Sequence, residues 1–517
     1  MSIQDDVINK TFEQIRRIQD SEISQGVSSD ELHINLKTLG AKGDGIADDT
    51  TYVRSALDSG FKVFNSGTYL VTDAELVRKL MNTSGSAMLV HEDIKYPFGD
   101  VYDDVVLNIK PDNPIFYTIQ YCYDWLAKRR IYGHVRIQFA DGKYTQDFQN
   151  NAHHIDGKNI TILGNVVDRD KVWFDFDNSD NRSFVSIAGK YQLGFIDGFT
   201  VKGVSPNGMT ARGKWGKDCY AAMVRAIDGG VIYTGPHMRS IGMYYMYQAK
   251  EGGVIKGNYT PPAGSYGGGV RAELSGDAAF HAYNASIEVN GAEAIDTAHN
   301  DGEDLGFGFC AEANGSVLCE FALAMNNHRA GFYSIGGGSM WAHGTEAVGN
   351  QFGVLAWTGG YVECNSLPNR PSKFHNNLSH GVWATQKGVI GANSADSYEN
   401  GGHGFFADSG AYIDANGTKS HMNKDSGYVA TSNGTITGYE LRAYDNTKFG
   451  FYNYEGGVMR VPNAHSDRND INFRALDFAV ITAKGATESD AKTKGFMPDT
   501  FDVLQKLSDD QCAIKIK

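Results

Sequence analysis

From residue 304 onward the chain repeats itself, and that period limits what it can fold into more than any other feature. Gly308, Gly331, Gly353, Gly381, Gly404, Gly427 and Gly450 recur at intervals of 23, 22, 28, 23, 23 and 23. Asn327, Asn350, Asn377, Asn400, Asn423, Asn446 and Asn469 keep step with them at 23, 27, 23, 23, 23 and 23. A fixed period of ~20–50 residues marks a solenoid, whose units bury their apolar faces only by stacking. One Asn per coil at a turn predicts a ladder of amides bonding from coil to coil at ~4.8 Å. Asp304, which precedes Asn327 by the same interval, is its predicted first rung.

Counting from each Gly recovers the strand faces. Nine residues on stand Val317, Met340, Val362, Ile390, Ile413, Ile436 and Met459; eleven on stand Cys319, Ala342, Cys364, Ala392, Ala415, Gly438 and Val461. Phe309, Phe332, Val354, Val382, Phe405, Tyr428 and Phe451 directly follow the Gly. All three columns point inward by the two-residue alternation of a strand, so Cys319 and Cys364 are core filler. The alternate positions face outward and carry Glu320, then Trp341 and His343, then Tyr361 and Glu363, then Tyr412 and Asp414, with Tyr439 and Arg460 beyond. Aromatic faces stack on sugar rings and carboxylates bond hydroxyls, so this strip is a candidate carbohydrate surface. The one longer coil, between Gly353 and Gly381, holds its extra length in Asn365–Lys373, bordering the strip. A second outward column, Cys310, Tyr333, Leu355, Trp383, Phe406, Val429 and Tyr452, is an apolar ridge that needs a cover, from another subunit or from an inserted loop.

Composition fits this picture. The 517 residues include 61 Gly but only 11 Pro, with 27 Tyr and 27 Phe, as expected for many short strands and turns. Lys+Arg 47 against Asp+Glu 61 leaves a net charge of −14, which repels phosphate backbones and anionic lipid, so neither nucleic acid nor a membrane is an expected partner. No apolar run approaches the ~18 residues of a membrane helix. The six Cys show no metal spacing and no disulfide framework, so no metal and no cofactor are predicted, and folding in a reducing cytosol is expected.

Upstream, Leu36–Thr51 (LKTLGAKGDGIADDTT) reads as an apolar strand, a Gly-rich turn and then a helix over 51–57 capped by Asp48 or Asp49. Lys62–Val71 (KVFNSGTYLV) returns as strand, turn and strand. GAKGDG lacks the GK[ST] ending of a phosphate loop. Residues 36–73 resemble the opening of pectate-lyase-like right-handed parallel β-helix proteins, phage tailspikes in particular, in which a GAKGDGxxDDT turn and an xFxxGTYLV strand begin the coil. The resemblance implies an all-β, right-handed, single-stranded parallel β-helix, with the ~23-residue coils counted above. It further implies a homotrimer in a virion tail, held to a phage tail or baseplate protein through its N-terminus and acting on a bacterial capsular or O-chain glycan. It carries over no catalytic residue.

The expected organisation is a helical neck over 1–35, with Ile8, Phe12, Ile15 and Ile18 near a ~3.5-residue period. Residues 36–164 lead into the coil with short helices, among them one from Asn113 to Lys128, and with strands at Val135–Phe139 and Ile160–Leu163. The main β-helix covers 165–485, of which 165–290 shows no readable phase, and 486–517 forms a small cap.

Glycosidic hydrolysis takes two carboxyl groups, ~5 Å apart for retention or ~6.5–9.5 Å for inversion. Glu320 and Glu363, two coils apart at ~10 Å by strand spacing, are the predicted pair. His343 lies on the coil between, and Glu346 is an alternative acid. Trp341, Tyr361, Tyr412, Asp414 and the loop residue Arg370 are the predicted substrate contacts. Two other readings stay open. One is β-elimination on a uronic-acid polymer, with His343 and Tyr361 as base and Arg370 or Lys373 neutralising the sugar carboxylate. The other is a fibre that binds polysaccharide without cleaving it. A separate polar cluster, His281, Glu293, Asp296, Asp301 and Glu303, is a further candidate site.

Overall fold

A computed structural model describes residues 222–297 and 305–490 without a break, most of 33–203, and isolated positions elsewhere. Each coil contributes one strand to each of three parallel sheets, giving a right-handed parallel β-helix. Sheet I stacks twelve strands from Val185–Ala188 to Ile471–Ala475. Sheet II carries Ser316–Leu318, Ser339–Trp341 and Tyr361–Glu363, and its stacking begins at Val105–Ile109 and Val135–Phe139. Sheet III stacks fourteen strands from Gly142–Thr145 to Thr487–Ser489. At the C-terminal end Val480–Thr482 pairs antiparallel with Leu504–Gln505, which pairs with Ile514–Lys515.

The inward columns stand as predicted. Phe309, Phe332, Val354, Val382, Phe405, Tyr428 and Phe451 pair in register and are fully buried. The Phe405, Tyr428 and Phe451 rings stack at 5.0 and 4.8 Å, and Phe473 continues the stack at 4.8 Å. The Asn ladder runs inside the turn between sheets III and I, each side-chain NH₂ donating to the next amide oxygen at 2.8–3.1 Å. Asp304 lies outside the described residues; below Asn327 the ladder meets the Thr297 N–H at 3.3 Å. The repeating Gly has a spatial cause. A Cβ on Gly404 would collide with the Ser420 hydroxyl and stand 2.9 Å from the Asn423 amide, so the ladder occupies the room of a side chain.

The ridge on sheet I is partly covered from within the chain. Tyr333 stacks on Phe307 at 4.3 Å, and Trp383 lies against Phe352 at 4.8 Å. His380 and His403 flank Phe406 at 5.0 and 5.1 Å. Cys310, Tyr333, Leu355 and Val429 are buried in the single chain, while Trp383, Phe406 and Tyr452 keep part of their surface.

The N-terminal reading needs one correction. Leu36 to Gly40 is a tight turn rather than a strand, with Leu39 N–H donating to the Leu36 carbonyl at 3.1 Å, and both leucines enter the core. The strand is Asp44–Asp48 and the helix Thr50–Asp58. Asp48 accepts from Thr50 N–H at 3.0 Å at the helix start, whereas buried Asp49 accepts from Lys42 and Gly43 N–H at 2.8 and 3.1 Å and fixes the Gly-rich turn. Strands stand at Val135–Phe139 and Gly157–Leu163. The neck over 1–35 and the helix at 113–128 fall almost wholly outside the described residues, as do Asp301 and Glu303.

Candidate functional site

Sheet II presents two outward columns. One runs Leu318, Trp341, Glu363, Gly391, Asp414, Thr437 and Arg460; the other runs Ser339, Tyr361, Val389, Tyr412 and Thr435. Glu363 and Asp414 therefore stand in line, two strands apart, with only Gly391 between them. A Cβ at Gly391 would meet nothing closer than Glu363 Cγ at 3.5 Å, so the floor between the two carboxylates is open. Tyr361 and Tyr412 occupy the neighbouring column at the same two levels, and Tyr412 is 38% exposed. Two strand steps of ~4.8 Å put the Glu363 and Asp414 backbones ~10 Å apart.

Both carboxylates are oriented. Glu363 accepts from the Tyr361 hydroxyl at 3.1 Å and from Asn365 Nδ2 at 2.8 Å. Asp414 accepts from Asn416 Nδ2 at 2.8 Å and Asn393 Nδ2 at 3.4 Å. Burial, then the hydrogen bond to Glu363 and the charges of Glu363 and Asp414, push the Tyr361 phenol up, so its proton is hard to remove. Burial likewise pushes the Cys319 and Cys364 thiols up, in keeping with packing rather than chemistry.

Glu320 and His343 lie past the strands, in the turn from sheet II to sheet III. The position level with Glu363 on the Glu320 coil is Leu318, two residues earlier. That offset lengthens the Glu320–Glu363 backbone separation to ~12 Å, so the two do not share a column. The turn holds a second, outer Asn ladder. Asn258 accepts from Asn290 N–H at 3.1 Å and Asn290 from Glu320 N–H at 2.8 Å. Further up, Asn365 accepts from Asn393 N–H at 2.7 Å and Asn393 from Asn416 N–H at 2.9 Å. Glu320 and His343 fill the two rungs between. Among the described residues no ladder bond crosses them, and the Nδ1 of His343 is buried without a partner.

Two inserted loops meet beside these rungs. Residues 257–270 fold over the turn, with Gly267 N–H donating to the Phe321 carbonyl at 2.8 Å, and Tyr266 donates to the Pro371 carbonyl of the other loop at 2.5 Å. Arg370 is 8% exposed; its guanidinium donates to the Pro261 carbonyl and lies 4.2 Å over the Phe321 ring. Lys373 Nζ sits 5.5 Å over the Tyr266 ring. Both cations thus hold the loops together. Glu346 belongs to sheet III, where it meets His375 Nε2 at 3.0 Å. The predicted polar cluster is split: His281 is on sheet I and Glu293 on sheet III, where Arg271 holds it at 3.1 Å.

Two features of this face have no counterpart among the predicted site residues. Gly391 occupies the Glu363 column but presents no side chain. The loop at 257–270 sits in the stretch without a readable phase. Gly391 did carry a signal, since it follows Gly381 by the same ten residues as Glu363 follows Gly353.

No known family profile matches the chain, and no curated protein matches it. Among solved structures, it is similar at TM-score 0.42 and 12% identity to the A-module of the Azotobacter vinelandii mannuronan C-5 epimerase AlgE6, over 88% of this chain and 99% of that one. Gene product 12 of bacteriophage phi29, in its pre-mature form, matches at TM-score 0.33 and 11% identity, over 94% of this chain and 58% of that one. An exopolygalacturonase from Thermotoga maritima matches at TM-score 0.25 and 8% identity, over 94% and 96%. These are distant likenesses of fold and assign no activity to this chain.

Proposed function

We propose that the chain binds a bacterial surface polysaccharide along sheet II and hydrolyses its glycosidic bonds, with Glu363 and Asp414 as the carboxyl pair. One observation carries the proposal: the two acids share a column across the bare position of Gly391, and Tyr361 and Tyr412 flank them at the same levels. One carboxyl group protonates the leaving oxygen while the other draws a proton from the attacking water. A backbone separation of ~10 Å lies just above the ~6.5–9.5 Å between the carboxyl groups of an inverting pair, and Glu363 leans over the Gly391 position, its Cγ 3.5 Å from where a Cβ would stand. Trp341 and the Glu320–His343 rungs extend the same face toward the loops. Elimination is the weaker chemistry here, because Arg370 and Lys373 are engaged between loops and the Tyr361 phenol holds its proton. The resemblance of residues 36–73 to tailspikes makes capsules and O-chains the first polymers to test. It also keeps a homotrimer on a phage tail as the proposed setting.

The test is incubation with a panel of capsular and O-chain polysaccharides. New reducing ends without ultraviolet absorbance are expected. Glu363→Gln and Asp414→Asn should each lower the rate by ~10²-fold or more while polymer binding is kept. Unsaturated products would point to elimination, unchanged polymer length to a binding fibre, and full activity in both variants would remove this pair from the chemistry.

A further inference from the structure

Sheet I carries a separate group of donor atoms, away from the glycan face. His281 in Ala278–Tyr283 and Cys310 in Phe307–Glu312 are register partners on adjacent coils, and Glu312 follows Cys310 on the same face. One ligand atom from each lies within 4.8 Å of the other two. His281 is 5% exposed, and its Nε2 stands 3.0 Å from Glu312 Oε2 while its Nδ1 is buried with no partner. The Tyr245 ring stacks on His281 at 5.2 Å and holds the imidazole plane; its hydroxyl donates to Asp277 at 2.6 Å. The pocket thus brings a buried thiol and an under-bonded imidazole together with the Glu312 carboxylate.

We propose that His281, Cys310 and Glu312 bind one divalent transition cation of the zinc class, pinning two neighbouring coils of sheet I. One nitrogen, one sulfur and one carboxylate oxygen are the donor types such ions take, and three protein ligands leave a fourth position for water or Asp277. Bond lengths of ~2.0–2.3 Å place tetrahedral donors ~3.4–3.8 Å from one another. The 3.0 Å contact between His281 and Glu312 opens by under an ångström, and the other separations, none above 4.8 Å, have at most ~1.4 Å to close. Binding forms a metal–sulfur bond and releases the thiol proton to solvent. The ligand set is invisible to cysteine spacing because the coil brings His281 beside Cys310 from a full turn of the solenoid earlier in the sequence.

The full chain, stripped with a chelator and titrated with Co²⁺, should take up one ion and develop a thiolate-to-cobalt charge-transfer absorption that Zn²⁺ abolishes. Cys310→Ser should remove that absorption. Glu312→Gln, a change at a half-exposed edge that the fold tolerates, should weaken Zn²⁺ binding at least ~tenfold, since even outer-shell changes cost that much. Zinc should also raise the thermal midpoint of the parent protein and not that of the Cys310→Ser protein. No cobalt–thiolate absorption in the parent, or the same absorption in Cys310→Ser, would overturn the proposal. Neither result bears on the hydrolytic reading of sheet II.

Discussion

Asn400 uses every polar atom of its side chain inside the solenoid. Its Nδ2 donates to the Phe374 carbonyl at 3.0 Å and to Asn423 Oδ1 at 2.9 Å, and its Oδ1 accepts from Asn377 N–H at 3.1 Å and Asn377 Nδ2 at 2.9 Å. Removing it strands buried groups on two coils, each at ~1–3 kcal/mol. Asn400→Ala should therefore lower stability by ~3 kcal/mol or more, read from the urea midpoint. On the outer ladder, in contact with water, the bonds run the other way: Asn416 N–H and Nδ2 donate to Asn393 Oδ1 at 2.9 Å, and Asn416 Oδ1 accepts from Tyr439 N–H at 2.9 Å. Asn416→Ala should cost less than ~1 kcal/mol, because water replaces the lost partners. Equal losses would mean that burial does not set the value of a rung. The inner ladder was legible from the sequence because one residue type recurs in phase. The outer one was not, since Glu320 and His343 interrupt it and the inserted loops shift its spacing.

At the scale of an element, the turns from sheet III to sheet I carry a histidine pair. His380 and His403 stack at 4.9 Å, and His380 Nδ1 accepts from the His403 N–H at 3.0 Å, which requires that nitrogen to be unprotonated. Burial and the charge of His403 hold His380 down to about 3, and burial holds His403 down to about 4, against partial compensation from Asp425. Unfolded, both return to ~6.5. Between these values the unfolded chain binds more protons, so stability is complete above ~pH 6.5 and is lost as pH falls toward ~4. Urea midpoints measured across that window should decline, and His403→Phe should flatten the decline; a parent protein with no slope there would refute it. Sheet III also stacks His375, Tyr398, His421 and Tyr444 at 4.6, 5.0 and 4.6 Å. This column had a sequence signal, since the last three each follow a repeat Gly at one fixed offset, but the longer coil displaces His375 from the phase. The faces of sheet II were legible by counting. The relation between Glu320 and Glu363 was not, because coil number gives the height along the stack and ignores a two-residue shift along the strand.

Across the whole molecule, legibility followed the regularity of the coil. From Phe309 on the step is nearly constant, and each inward column follows from the amino-acid sequence alone. Below it the register runs from Val224 to Tyr247 to Phe280 to Phe309 in unequal steps, so insertions hide a repeat that the backbone still keeps. The fold itself tolerates this, because each coil needs only its neighbours. The same reasoning predicts that a whole coil is removable. Deleting residues 419–441 joins Thr418 to Arg442 and leaves every inner column continuous: Phe405 would meet Phe451, Ile413 would meet Met459, and Asn400 would meet Asn446. On the outside, Asp396 would meet Arg442, an opposite charge. The shortened chain should show parallel-β circular dichroism, resist protease and unfold cooperatively, although on the outside of sheet II Asp414 would lose Thr437 and meet Arg460. Deleting only residues 419–430 removes about half a coil and puts Phe451 opposite a turn, so that chain should be protease-sensitive. Were the two deletions to behave alike, the inward columns would not be what holds the solenoid in register.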